Sequence, residues 1–403
     1  MHEYLNVKKS AEISDVFWDV TEKAGLFDVI VKGLGGGRHR SVETGREFLN
    51  MSSYSYLGLD THPRLVRAAA DAVLAEGALN TSTSRMRVRF TSLLDAEEAM
   101  SELFNAEVVT VASCAAAAWA ALPLVASGLF TDNEPPLMVF DRTAHFCLNA
   151  MKPSVADEAE LTTVRHNDVE ALEELCKTHK RVAYVADGVY STGGQAPVKE
   201  LLRLQEKYGL FLFFDEAHGV STVGEFGRGV VLSEMGEIND QTLIITSLNK
   251  GFGASGGAVF LGPRGSQRRR TVAIRNGGPI MWSQRINTAG LGAVLASVEL
   301  HRTAELTELQ QRLQRNIALF DSHIETEQHG DGLPIRHVNL GDETLTVKLA
   351  EALYQEGFYT SPIFFPVIGR GKAGLRLMMR ANMETADIER FCLLLAKLRA
   401  ELD

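Results

Sequence analysis

Cysteine is scarce in this chain. There are four in 403 residues, Cys114, Cys147, Cys176 and Cys392, and no two form a Cys-x-x-Cys pair. That spacing suggests neither a zinc site nor a thiol redox motif. Cysteines this sparse, with no signal peptide evident, fit a reducing cytosol, so a cytoplasmic location is expected. Basic excess is also missing. Lys and Arg number 41 against 51 Asp and Glu, a net charge of −10. This argues against a nucleic-acid-binding protein, which needs a basic surface to neutralise phosphates. The opening residues, Met1-His2-Glu3-Tyr4, include an early acid and no apolar core, unlike a secretory signal. Long hydrophobic runs are nearly absent. The one uncharged stretch, 108–131, is long enough to span a bilayer. It is mostly Ala with Ser, Cys and Pro123, however, so its transfer into lipid is weakly favoured. The pattern predicts a buried helix packed closely on a sheet, and no membrane span. No fixed-period repeat or low-complexity tract appears.

What is present is an ordinary globular composition, 45% hydrophobic and 23% charged. The length is too great for one compact core and too short for three full domains. Residues 1–52 read as an amphipathic arm with a glycine patch, Gly33 to Gly37 apart from Leu34, taken as a loop. Residues 53–285 alternate short apolar runs with helical ones. Candidate strands are 108–112, 137–140, 160–164, 181–186, 210–214, 243–245 and 257–261, with helices such as 168–180 and 198–208 between them. This alternation predicts an α/β fold with a mostly parallel, doubly wound sheet. Residues 286–403 read as a smaller α+β C-terminal domain: a long helix over 286–325, short strands at 335–338, 360–363 and 375–379, and a closing helix over 385–402.

Two strand ends carry the chemistry. The run 210–214 ends in Asp215-Glu216-Ala217-His218-Gly219. The run 243–245 leads through Thr246 and Ser247 to Lys250, followed by Gly251-Phe252-Gly253. A lysine on a glycine-rich turn suits the Schiff base of pyridoxal 5′-phosphate (PLP). A carboxylate at a strand end suits its pyridine nitrogen, which must stay protonated if the ring is to act as an electron sink. Ligands of open α/β sheets bind at the carboxyl ends of strands. His218 can donate to the cofactor's phenolic oxygen. Ser113-Cys114-Ala115 sits between a strand and an Ala-rich helix, and the free N–H groups of a helix start suit a phosphate; Ser113 is also a plain N-cap candidate. Ser247 and Ser191 can add hydroxyl hydrogen bonds. His145 can stack on a pyridine ring and move protons, or be merely structural. Arg376, in a candidate strand, can bind a carboxylate in bidentate fashion, with Arg380 as its competitor. The basic clusters Arg85, Arg87, Arg89 and Arg268 to Arg270 are either solvated faces or contacts for an anionic substrate such as the phosphates of coenzyme A.

Together these residues resemble the α-oxoamine synthases of the fold-type I PLP-dependent transferases. The landmarks are Tyr56-Leu57-Gly58-Leu59 with His62-Pro63, Asp187-Gly188-Val189-Tyr190-Ser191 with Ala196-Pro197, Asp215 to Gly219 with Gly224 and Gly227-Arg228-Gly229, Ser247 to Gly253, and Gly374-Leu375-Arg376-Leu377. The resemblance implies that Lys250 holds PLP, Asp215 faces the ring nitrogen, His218 faces the 3′-oxygen and His145 stacks on the ring. It implies that Ser113, Cys114, Ala115 and Ser247 meet the phosphate, that Ser191 approaches the cofactor, and that Arg376 takes the amino-acid carboxylate. Ser283 falls where the family places a phosphate contact from a second subunit, which implies a homodimer with the active site at its interface. The chain departs from the family pattern at Asn80 to Arg85, at Leu94 for a His, at Cys114-Ala115 for Gly-Phe, at Ala118 for Asn, and at Tyr54, a substrate-side position where the family has Asn. The wording around Tyr190-Ser191-Thr192 and Thr246 to Lys250 is similar to the autoinducer-synthase branch. The expected activity is decarboxylative condensation of an α-amino acid with an acyl thioester, carried on coenzyme A or an acyl carrier protein. Its rivals are transamination, retro-aldol or elimination chemistry on the same fold, and an inactive partner subunit.

Overall fold

The computed structural model describes residues 4, 7–82 and 84–402. The opening Met1 to Glu3, and Thr83 of the departing stretch, lie outside the described residues. The chain divides into two compact units. One gathers His62–Tyr190 and Gln195–Thr307, and the other gathers the stretch ending at Thr61, Ser191–Gly194 and the residues from Glu308 onward. The sequence pattern put the division near 285, whereas the contacts put it inside the helix Ala304–Asp321. The physical reason lies in the helix Thr288–His301. Its Gly292 has no Cβ, and one built there would stand 2.4 Å from Ala68 O and 2.6 Å from Ala72 Cβ. Small residues thus let this helix press directly on the helix Pro63–Glu76, within the first unit.

The first unit is built on a seven-stranded sheet. In spatial order its strands are Ala106–Val111, Gly257–Pro263, Thr242–Ser247, Phe211–Asp215, Val182–Asp187, Leu137–Asp141 and Leu161–Val164. Every pairing is parallel except the two made by Gly257–Pro263. The central strands are buried along their whole length, as expected where helices cover both faces. This is the mostly parallel doubly wound sheet that the alternation predicts. The uncharged stretch forms the helix Cys114–Ala126, whose alanines share one apolar cluster with Val109, Phe140, Phe213, Ile245 and Val259. Among the described residues no helix is long and apolar enough to cross a membrane.

Register explains where the site lies. Asp187 pairs with Asp215, and Gly257 pairs with both Ser247 and Val111. The carboxyl ends of the strands Ala106–Val111, Val182–Asp187, Phe211–Asp215 and Thr242–Ser247 therefore share one edge of the sheet. The loops carrying Ser113, His218 and Lys250 all leave from that edge.

The second unit holds the helix Val7–Lys23, a four-stranded sheet and a three-stranded sheet. Two sequence expectations change here or at the division. The glycine patch is a hairpin rather than a loop: the strands Val31–Gly35 and Arg38–Ser41 join through Gly36 and Gly37, at φ 58° and 76°. Two adjacent positive-φ residues are what a tight two-residue hairpin needs. The helix expected over 286–325 breaks into Thr288–His301 and Ala304–Asp321. At the break Thr303 turns its hydroxyl onto Leu300 O at 2.7 Å, competing with the helical ladder. The closing helix Thr385–Leu402 forms as expected. The short strands form at Ile335–Asn339, Ser361–Ile363 and Gly374–Met378, the last lying between the other two in one sheet.

Candidate active site

Lys250 follows the strand Thr242–Ser247 on a loop closed by Leu248 N to Gly256 O (2.9 Å) and Ala254 N to Leu248 O (2.7 Å). Gly251 makes the approach possible, since a Cβ there would stand 2.8 Å from Val220 O. The lysine turn thus packs on the turn that holds His218, and Lys250 Nζ lies 2.8 Å from His218 Nε2. Burial pushes the Lys250 pKa down, against the opposing pull of Asp215 and the neighbouring acids. A lysine so placed reaches its neutral, nucleophilic form more readily than a solvated one.

Asp215 is buried at the end of its strand. Its Oδ1 accepts the Ala217 N–H at 2.9 Å, and its oxygens lie 3.6 Å from Cys114 Sγ and 3.4 Å from Cys147 Sγ. Among the described residues no Lys or Arg nitrogen comes within ion-pair distance of it, although Lys250 feels its charge. A buried carboxylate without a cation is costly. A protonated pyridine nitrogen would supply the missing charge, so the residues present fit PLP.

A helix start suits the opposite end of such a cofactor. Ser113 caps the helix Cys114–Ala126, its Oγ accepting Ala116 N at 3.1 Å. The following Cys114 and Ala115 amides are orphan helix-start donors. Gly257 keeps this turn close to the sheet, because a Cβ there would stand 2.5 Å from Ser113 C and 2.6 Å from Cys114 N. Ser247 is buried and donates to Asn249 Oδ1.

His145 caps the short helix Phe146–Asn149, its Nδ1 accepting Cys147 N at 3.2 Å. Its backbone N–H donates to Asp187 Oδ1 at 2.9 Å. The hydrogen bond to Cys147 raises the His145 pKa, against burial. Asp187 is the residue the sequence reading passed over. Burial and then the neighbouring Asp215 charge push its carboxyl well up. The signal was available, since Asp187, like Asp215, ends a wholly apolar strand.

Glu216 was likewise not singled out. It is fully buried, with Oε2 accepting Val231 N at 3.2 Å and no partner for Oε1. Its carboxyl is walled by glycines: a Cβ at Gly188, Gly229 or Gly219 would stand 1.9, 2.1 or 2.6 Å from it. Burial raises its pKa from 4.5 to about 8. A carboxyl raised in the folded state contributes stability that is full below the unfolded value and lost as pH climbs to the folded one. Stability should therefore fall between about 4.5 and about 8, with a slope on the order of 1.4 kcal/mol per pH unit from this group. Urea unfolding across that range should decline less steeply for Glu216→Gln than for the parent chain. Equal slopes would mean that Glu216 titrates normally.

In the second unit, the two candidate arginines differ. Arg380 is buried and bound to Asn50 O at 3.1 Å and Asn382 Oδ1 at 3.2 Å, a structural role. Arg376, on the strand Gly374–Met378, has a contact to Ser191 O at 3.5 Å, and its Nε, like that of Arg380, has no partner among the described residues. Burial lowers its pKa, opposed only by Tyr56. Tyr54 is exposed. Ser283, in the first unit, is half-buried at the end of the helix Gly278–Trp282. The basic clusters are mostly structural. Arg85 and Arg270 both bind Glu97 at 2.6 Å, and Arg269 donates to Leu261 O at 2.9 Å. Arg87 and Arg89 remain exposed.

The model of the aminotransferase class I and II family matches residues 46–395. An 8-amino-7-oxononanoate synthase of Exiguobacterium sibiricum is 31% identical over 390 residues, covering 91% of this chain and 93% of its own. One from Geobacter sulfurreducens is 30% identical, covering 94% and 95%. The chain belongs to the aminotransferase class I and II family, among its α-oxoamine synthases. Solved structures agree in fold. The family member serine palmitoyltransferase of Sphingomonas wittichii superposes with a TM-score of 0.83 at 19% identity, covering 99% of both chains. A serine palmitoyltransferase from S. paucimobilis, with bound PLP, gives 0.84 at 20%, covering 97% and 98%. The fold-type I architecture that the family implies is thus the one found.

Proposed function

We propose that this chain uses PLP to condense an α-amino acid with an acyl thioester, losing CO2, to give an α-aminoketone. The observation that carries the reading is the buried Asp215, with no Lys or Arg ion pair among the described residues, in the same site as the Lys250–His218 pair, in a chain of this family. When bound, the cofactor supplies an aldehyde for the amine and a ring that takes up the electron pair released at the amino acid's Cα.

The chain's own groups do the rest. Lys250 Nζ would hold the cofactor and, in its neutral form, would accept the amino acid's Cα proton. Its depressed pKa suits both tasks. Asp215 keeps the proton on the ring nitrogen. His218 donates to the cofactor's 3′-oxygen, and its contact with Lys250 Nζ places the lysine. His145 would stack on the ring and hydrogen-bond the thioester carbonyl as charge develops there. Ser113, Cys114, Ala115 and Ser247 would hold the phosphate, Ser191 would approach the cofactor, and Ser283 would reach the phosphate from a second copy of the chain. Exposed aromatic rings in the first unit, Trp119, Phe146 and Trp282, support a homodimer. Arg376 binds the amino-acid carboxylate, and Tyr54 lies on the substrate side. The enzyme is expected in the cytoplasm.

Two outcomes test the reading. Free thiol should appear only when amino acid and acyl thioester are both present, and the product should be an aminoketone by mass spectrometry. A keto acid formed without thioester would instead establish transamination, and a protein that never takes up PLP would be an inactive partner subunit. Arg376→Ala should raise KM for the amino acid about 10- to 100-fold, as expected for losing charged hydrogen bonds of about 1.5–3 kcal/mol. KM for the thioester should stay nearly constant. An unchanged amino-acid KM would remove Arg376 from the substrate site.

A further inference from the structure

Two cysteines that stand far apart in sequence meet at Asp215. Cys114 is the first residue of the phosphate-side helix, and Cys147 follows His145 by two. Their Sγ atoms and the Asp215 carboxylate lie within 4.8 Å of one another. The sulfur-to-oxygen spacings are 3.6 Å from Cys114 and 3.4 Å from Cys147. Each thiol donates a hydrogen bond to the carboxylate across a spacing that also suits a metal site. Zinc takes a thiolate at about 2.3 Å and a carboxylate oxygen at about 2.0 Å, so across a tetrahedral angle the two ligand atoms stand roughly 3.5 Å apart. The thiols are not consumed elsewhere, for all four cysteines are free. PLP chemistry requires neither of them, since a helix start can hold phosphate by its amides whatever its side chain.

We propose that Cys114, Cys147 and Asp215 form a binding site for a thiophilic divalent cation, zinc or cadmium, that excludes the cofactor. The fourth position is open to water or to His145 Nδ1, which lies 3.0 Å from Cys147 Sγ. Each thiol releases its proton to solvent as its sulfur–metal bond forms, and no electron is transferred. Metal and cofactor compete because one carboxylate cannot both ligate the cation and pair with a ring nitrogen. Zinc bound to the empty enzyme therefore blocks its loading. This competition rests on the PLP reading, whereas the metal site itself does not.

The test uses the full chain stripped of cofactor and titrated with cadmium, whose thiolate bonds absorb in the ultraviolet. The absorbance should saturate at one cadmium per chain and reverse with zinc. Cys147→Ser and Cys114→Ser should each remove most of it, and Cys176→Ser should leave it intact. PLP added to zinc-loaded protein should be taken up at least about tenfold more slowly than by metal-free protein, with recovery on adding a chelator. A cadmium signal that survives both Cys114→Ser and Cys147→Ser overturns the proposal, as does PLP uptake indifferent to zinc. A chain that takes up PLP but gives no cadmium signal refutes the metal site alone. A chain that binds cadmium through these thiols yet takes up no PLP in metal-free buffer keeps the site and refutes the functional reading.

Discussion

Lys250→Ala should leave a folded protein with neither the visible colour of covalently held cofactor nor measurable condensation. Two functions vanish with one side chain. The amine that anchors the aldehyde is gone, and so is the base that removes the Cα proton. General base catalysis alone is worth about 10²- to 10⁴-fold, so turnover should fall by at least about a thousandfold. The fold should survive, because the loop's hydrogen bonds run through the backbone of Leu248, Ala254 and Gly256 and not through the amine. Absorption spectroscopy and steady-state rates on the purified variant check both halves. Colour retained with full turnover would remove Lys250 from the mechanism.

Asp215→Asn separates anchoring from catalysis. The amide is nearly isosteric and Lys250 is untouched, so the cofactor should still attach and the colour persist. Without a negative charge the ring nitrogen loses its proton, and the ring no longer draws the electron pair from Cα. The rate should fall about 10²- to 10³-fold, the magnitude usual for removing one preorganised electrostatic contact. Neighbouring Asp187 is a poor substitute for the charge, since burial pushes its pKa up and disfavours its ionised form. A loss smaller than about tenfold would mean that Asp215 does not face the ring nitrogen.

Much of this site was legible because its parts are local. Lys250 and Asp215 each end or follow an apolar strand, and the parallel arrangement of the sheet requires that such ends share an edge. Ser113 was legible for the same reason, as the residue between a strand and a helix. What the sequence hid depends on convergence in space. Asp187 and Cys147 acquire their roles only from the loops that meet around Asp215. Glu216 is defined by three glycines from separate segments, which no periodicity reveals. Arg376 and Arg380 look alike in sequence and are told apart only by partners, since Asn50 and Asn382 hold the terminal nitrogens of Arg380, whereas Arg376 has a long contact to Ser191 O. The division between units was misplaced because the apolar face of Thr288–His301 reads equally well toward either side. Only the close contact of Gly292 with Ala68 and Ala72 decides it.

The central claim is that the cofactor is bound through one amine. Reduction of the coloured enzyme with borohydride, followed by proteolysis and peptide mass spectrometry, reads that bond directly. The account predicts a single pyridoxyl adduct on the peptide that contains Lys250. An adduct on Lys152, the other lysine whose pKa burial lowers, or no adduct at all, would contradict it.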